Sequence, residues 1–158
     1  MKDPVVNTEL LIRAPVARVF EAFIDPKITA RFWFSRGSAR LAEGAEVDWF
    51  WDMYGVSTRV RVLAIEQDRL IRVDWDIETH PTRVEWRFSE HKPGQTWVAV
   101  ENSGFAGDAD KKMAAALDST GGFALLLAGA KIWLEHGIEP NFVLDRHPSA
   151  RVEGWKDK

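Results

Sequence analysis

The sequence predicts an α+β fold, a curved antiparallel sheet wrapped around one long C-terminal helix, with two short helices after the first strand. Three observations predict it. A strand ending near Arg13 runs straight into a helix that Pro15 starts and Asp25-Pro26 stops. A long series of alternating strands follows. The chain then closes with a single apolar helix from about Lys111 to His136. That order leaves a space between sheet and helix. It suggests a container for something apolar without saying what is contained.

Val5 to Ile12 reads as the first strand. Pro15 sits where proline is tolerated, in the first turn of a helix, and Val16, Val19, Phe20 and Phe23 share one face of it. A second short helix is expected over Pro26 to Phe32, and a weak strand over Arg36 to Leu41. Glu46 to Tyr54 alternates with period two, which marks a half-buried strand. Val47, Trp49, Trp51 and Met53 fall on one face, and Asp48, Phe50, Asp52 and Tyr54 on the other. Ser57 to Glu66 places Thr58, Val60 and Val62 inward, and the parity switch at Leu63 and Ile65 predicts a bulge near Leu63. Leu70 to Ile77 turns Ile71, Val73, Trp75 and Ile77 inward. Thr82 to Ser89 turns Val84, Trp86 and Phe88 inward. Lys92-Pro93-Gly94-Gln95 is a hairpin turn. Thr96 to Ser103 turns Val98, Val100 and Asn102 inward. The outward arginines and carboxylates are expected to pair across strands on a wet face.

In the last helix, Phe123, Leu127, Ala130 and Leu134 form one stripe, with a break conceivable at Gly121-Gly122. Leu125, Gly129 and Ile132 lie off that stripe and are apolar too, so the helix is expected to be covered on both sides. Either the tail from Ile138 to Leu144 folds back over it, or a second copy of the chain packs there as a homodimer. Gly137 caps the helix. No repeat or domain boundary is visible. The chain reads as one domain over residues 1–158, with a core of about 6–137 and a tail of 138–158.

Composition narrows the function classes. The 158 residues carry no cysteine, which excludes disulfides, thiolate metal sites and cysteine nucleophiles. The net charge of −3 is spread over both signs, so no nucleic-acid partner is expected. The N-terminus has no basic stretch followed by an apolar one, and the apolar run Gly121 to Ala130 is shorter than the roughly 20 residues a bilayer span needs. A soluble cytoplasmic protein is the expectation, with no membrane partner.

The histidines, His80, His91, His136 and His147, are scattered, with no metal-ligand spacing and no HExxH. No metal and no cofactor is expected. Neither GxSxG nor a phosphate-binding glycine loop occurs.

Eight tryptophans and nine phenylalanines accompany a single tyrosine. Several of these aromatics lie in stretches that resemble a known family: the strand-to-helix motif IRAPVARVFEAFIDP, the cluster Phe32-Trp33-Phe34, the hairpin VRVLAIEQDRLIRVDW and the segment TWVAVENSGF. On these pieces the chain resembles the START-like or polyketide-cyclase-like (SRPBCC) superfamily, and within it the branch named after the activator of the heat-shock ATPase. The resemblance spans about Val6 to Gly137. The pieces ALDSTGGFALLLAGAKIWLEHG and NFVLDRHP resemble a bacterial subgroup of unknown function. It implies a helix-grip fold with a cavity between sheet and last helix, and it does not by itself imply heat-shock activation.

With that resemblance, the inward set Trp49, Trp51, Met53, Thr58, Trp75, Trp86, Asn102, Phe123 and Leu127 is the candidate lining of a ligand cavity. The opposing reading is that these side chains simply fill the core. Thr58, Asn102 and Thr120 are the inward polar residues, and none is a strong acid or base. Asp48 and Asp52 would face inward only if Trp49 and Trp51 faced water, which is costly. Binding of a hydrophobic small molecule is therefore favoured. A small cyclase- or hydrolase-like enzyme and a co-chaperone-like interaction domain remain the alternatives.

Overall fold

The structure, a computed structural model, describes residues 2–156. Its strands are β1 (Val6–Ile12), β2 (Arg36–Gly37), β3 (Glu46–Trp51), β4 (Val56–Glu66), β5 (Leu70–Trp75), β6 (Thr82–Lys92) and β7 (Gln95–Ser103). They form one antiparallel sheet in the order β1-β7-β6-β5-β4-β3-β2. Six strands run as a meander, and β1 closes the far edge beside β7. The helices are α1 (Val16–Ile24), α2 (Pro26–Thr29), α3 (Ala109–His136) and α4 (Phe142–Arg146).

Each element follows from local chemistry. Asp25 ends α1 and caps α2, its carboxylate accepting the Lys27 N–H at 3.0 Å. The bulge lies where the parity switches, between Val62 and Ala64. Gly94 takes the left-handed conformation of the β6–β7 turn. Asp108 caps α3 by accepting the Lys111 N–H at 2.9 Å, and left-handed Gly137 ends it.

The core lies between the concave sheet face and the helices. Phe20 and Phe23 of α1 pack on Phe88, and Phe23 also meets Trp86. Phe123, Leu127, Ala130 and Leu134 of α3 are all buried. The convex face carries the expected charge ladder. Arg61 pairs with Glu46, Arg59 with Asp48 and Arg83 with Asp74, each directly across neighbouring strands. Such exposed pairs set register more than they stabilise.

Several expectations are corrected. Helix α3 is continuous through Gly121-Gly122. The strand expected over Arg36 to Leu41 is two residues long, and the helix expected to reach Phe32 stops at Thr29. Strand β3 stops at Trp51, where a 3-10 turn over Asp52–Tyr54 breaks the alternation. Thr120 is exposed, its hydroxyl donating back to the Ala116 carbonyl at 2.7 Å. The apolar run Gly121–Ala130 belongs to a helix that does have the length and apolarity of a bilayer span, and Phe123, Leu126, Leu127, Gly129 and Ala130 of that run are buried within the fold.

The second side of α3 is covered in part by the chain's own tail. A Cβ on Gly129 would stand 3.1 Å from the Phe32 carbonyl oxygen and 3.4 Å from Pro140. The close approach that Gly129 permits is therefore intramolecular. Leu125 and Ile132 are half-buried.

Candidate functional site

The inner sheet face concentrates tryptophan. Antiparallel register sets Trp75 opposite Val60 on one side and Thr82 on the other, and Trp86 opposite Ile71 and Val100. Trp33, from the turn after α2, enters the middle of this set. Its ring lies 5.1 Å from Trp49, 5.4 Å from Trp75 and 5.6 Å from Trp51. Phe123 reaches down from α3 to within 6.1 Å of Trp75 and 6.0 Å of Trp86. Tilted and edge-on pairs of this kind add stability beyond the buried area itself.

The cluster does not fill the space. A cavity of about 610 Å³ remains between the sheet, α3 and the tail. Trp33, Trp51, Trp75 and Phe123 form its apolar wall. Asn102 and Ser119 form a polar corner, where the Ser119 hydroxyl donates to Asn102 Oδ1 at 2.7 Å and Asn102 Nδ2 donates to the Arg83 carbonyl at 2.9 Å.

Four of the nine sequence candidates thus line the cavity: Trp51, Trp75, Asn102 and Phe123. The other five lie behind it. Trp49 is 2% exposed, stacked on Phe34 at 5.5 Å. Trp86 is 1% exposed behind Phe23 and Phe123, and Leu127 is likewise sealed in the core. Met53 sits in the 3-10 turn, its sulfur 3.9 Å from the Ser35 hydroxyl. Thr58 is turned to Asp76, 3.5 Å away. The aromatic set thus has two layers, one bordering the cavity and one packed in the core.

The roof comes from the tail. The Tyr54 hydroxyl donates to the Val143 carbonyl, lies 3.2 Å from the Leu144 carbonyl, and accepts the His147 backbone N–H at 3.2 Å. Arg151 donates to the Leu144 carbonyl at 3.0 Å and to Asp145 at 2.9 Å. Further on, the Val152 N–H donates to the Met53 carbonyl at 2.8 Å. Arg146 lies flat on α3, where Cβ atoms on Gly121 and Gly122 would come within 2.9 and 3.0 Å of its guanidinium nitrogens. Its Nη2 donates to the Asp118 carbonyl and carboxylate, each at 3.1 Å.

Among the described lining residues Asp118 is the one carboxylate, and its side chain is 73% exposed. No group of three metal-ligating side chains occurs among the described residues. The carboxyl groups shifted by their surroundings lie elsewhere. Glu85 is on the convex face, where burial raises its pKa but hydrogen bonds and charge from Arg72 and Arg87 outweigh that and hold it below the ordinary range. Glu135 is at the end of α3, where burial is outweighed by the Arg13 N–H and by Lys131.

The family model described as Activator of Hsp90 ATPase homolog 1-like protein matches residues 13–127. The chain belongs to this family. Members of its wider fold bind hydrophobic ligands. No curated protein matches the chain. Among solved structures, protein SSP2350 from Staphylococcus saprophyticus is 28% identical, with a TM-score of 0.74 over 86% of this chain and 95% of that one. DynU16, from the dynemicin biosynthetic locus, is 19% identical with a TM-score of 0.75, over 88% of this chain and 49% of that one, so this chain spans about half its length. The Aha1 dimer from Colwellia psychrerythraea is 15% identical with a TM-score of 0.72, over 85% and 98% of the two chains. The last two likenesses show the fold alone.

The family match stops at residue 127, before the tail begins, so the roof residues Val143, Arg146 and His147 lie outside it. Sequence reasoning missed these three, together with Trp33, Tyr54, Ser119 and Leu125. Trp33 was visible only as part of a family motif. Tyr54 reads as outward-facing in the alternation because the 3-10 turn that redirects it leaves no mark there.

Proposed function

We propose that this protein binds a hydrophobic small molecule with a planar body in the cavity between sheet, α3 and tail. The observation that carries the reading is the volume: about 610 Å³ stays open beside Trp33, Trp51, Trp75 and Phe123. Ligand sites usually measure about 300–1,000 Å³, are mostly apolar, and hold a few placed polar groups. Asn102 and Ser119 supply those groups here. Binding is favoured over acid-base catalysis because the lining offers no buried carboxylate among the described residues. The setting is taken as a reducing cytoplasm, which a chain without cysteine tolerates.

The test uses a neutral polycyclic probe, 1-pyrenebutyramide, followed by energy transfer from tryptophan. Saturable binding to the wild type is expected, with loss in Leu125→Trp, which adds bulk to the cavity wall. Absence of binding, or equal binding by Leu125→Trp, contradicts the reading.

A homodimer is a second proposal, supported by the dimeric Colwellia relative. Among the described residues the large exposed apolar side chains of α3 are Met113 and Leu117, one turn apart and 45% and 67% exposed. They are the surface along the C-terminal helix on which a second copy would pack.

A further inference from the structure

We infer that the cavity takes a ligand carrying a carboxylate, and that Arg146 receives it. This rests on the hydrophobic-cavity reading above and adds the chemical class of the ligand. The apolar wall accounts for an aromatic body. It does not account for a guanidinium among the lining side chains.

Arg146 is placed there with some specificity. It comes from α4 in the roof, and the paired glycines of α3 let its guanidinium lie against the helix. A side chain at either position would push it away. Two glycines in the interior of a helix cost about 1 kcal/mol each relative to alanine, so this contact is held against a local disadvantage. The side chain is 26% exposed, which leaves it only partly hydrated.

Its hydrogen bonding is incomplete. A guanidinium has five N–H donors in a planar fork. Both bonds to Asp118 use Nη2, and among the described residues Nη1 and Nε donate to no protein acceptor. The partner carboxylate is largely in water, where an ion pair contributes little and is readily exchanged. A planar fork with free donors, beside an apolar wall, matches a carboxylate on an aromatic or alicyclic body. His147 also lines the cavity, and among the described lining residues Asp118 is the single acidic group. Asp118 is therefore a competitor for the same donors.

The experiment compares 1-pyrenebutyrate with its amide, 1-pyrenebutyramide, on the full chain at neutral pH. The two probes differ only in charge and one atom. The wild type is expected to bind the acid more tightly than the amide. Arg146→Gln should weaken the acid about tenfold or more beyond whatever it does to the amide, the scale of a hydrogen bond to a charged group. Asp118→Asn should move the acid the other way, tightening it several-fold, because it removes the competing carboxylate.

If Arg146 only latches the roof, Arg146→Gln weakens both probes alike and Asp118→Asn tightens neither. That result overturns the inference, as does equal binding of acid and amide by the wild type. Should the amide itself fail to bind, the cavity reading falls as well, so the two failures are distinguishable. Asp118→Asn alters one exposed side chain and keeps the test decisive if Arg146→Gln disturbs the fold.

Discussion

The hydroxyl of Tyr54 donates to the backbone carbonyl of Val143, 89 positions further along the chain. This one contact ties the turn after β3 to the roof of the cavity. Removing the hydroxyl in Tyr54→Phe leaves the ring in place, frees the Val143 carbonyl and takes the acceptor from the His147 N–H, while Arg151 still holds the Leu144 carbonyl. We expect amide exchange over residues 142–152 to accelerate while the global unfolding midpoint barely changes. A uniform loss of protection across the sheet would contradict the assignment of Tyr54 to the roof alone.

The two layers of tryptophan predict different mutational costs. Trp86 is surrounded on all sides, so Trp86→Ala should lower stability by about 3–5 kcal/mol in urea unfolding, as large-to-small core changes do. Trp51 already borders open space, and Trp51→Ala should cost clearly less. Equal costs would mean that the cavity wall is packed as tightly as the core.

Which parts of this arrangement could be read from the sequence follows from where alternation holds. Trp49, Trp75 and Trp86 sit in regular strands, and period two assigned their face correctly. It could not say which of them were sealed and which bordered the cavity, because that depends on Trp33 and Phe34, which come from an irregular turn. Phe123 and Leu127 share a helical stripe, yet only Phe123 reaches the cavity. The roof was illegible for a plainer reason. Residues 141–151 form one short helix and a 3-10 turn, too brief for a period, and their position is set by Arg146, Arg151 and the Tyr54 hydroxyl rather than by an apolar pattern.

Gly129 predicts a packing defect. Its missing side chain lets the Phe32 carbonyl oxygen approach to within 3.1 Å of where a Cβ would stand. Backbone at that distance cannot move as a flexible side chain can. Gly129→Ala should therefore destabilise by about 1–3 kcal/mol, the usual cost of overpacking, despite alanine's better helix propensity. A gain in stability would show that α2 and the tail can shift away from α3.

Acid sensitivity follows from Glu85 and Glu135. Both have folded pKa values below the ordinary glutamate value, so each contributes stability that is present above the unfolded pKa of about 4.3. That contribution is lost as pH falls through the lower folded values. Glu85→Gln should lower stability at neutral pH and flatten its fall between neutral and acid conditions, measured as urea midpoints over that range. An unchanged acid slope would show that the Arg72 and Arg87 contacts carry no linkage.

If a second copy packs on the Met113–Leu117 ridge, sedimentation of the wild type should show a dimer at micromolar concentration and Leu117→Glu should shift it to monomer. A wild-type monomer, or a dimer indifferent to Leu117→Glu, would contradict that surface.

The most direct test of the cavity is the set of tryptophan indole N–H resonances during titration with 1-pyrenebutyramide. Trp33, Trp51 and Trp75 line the open space, whereas Trp97 lies on the convex face of β7 and Trp133 lies under the Arg31 guanidinium. The account predicts saturable shifts that are largest at Trp33, Trp51 and Trp75 and absent at Trp97 and Trp133. Shifts centred on Trp97 or Trp133, or no saturable shift at any indole, would contradict it.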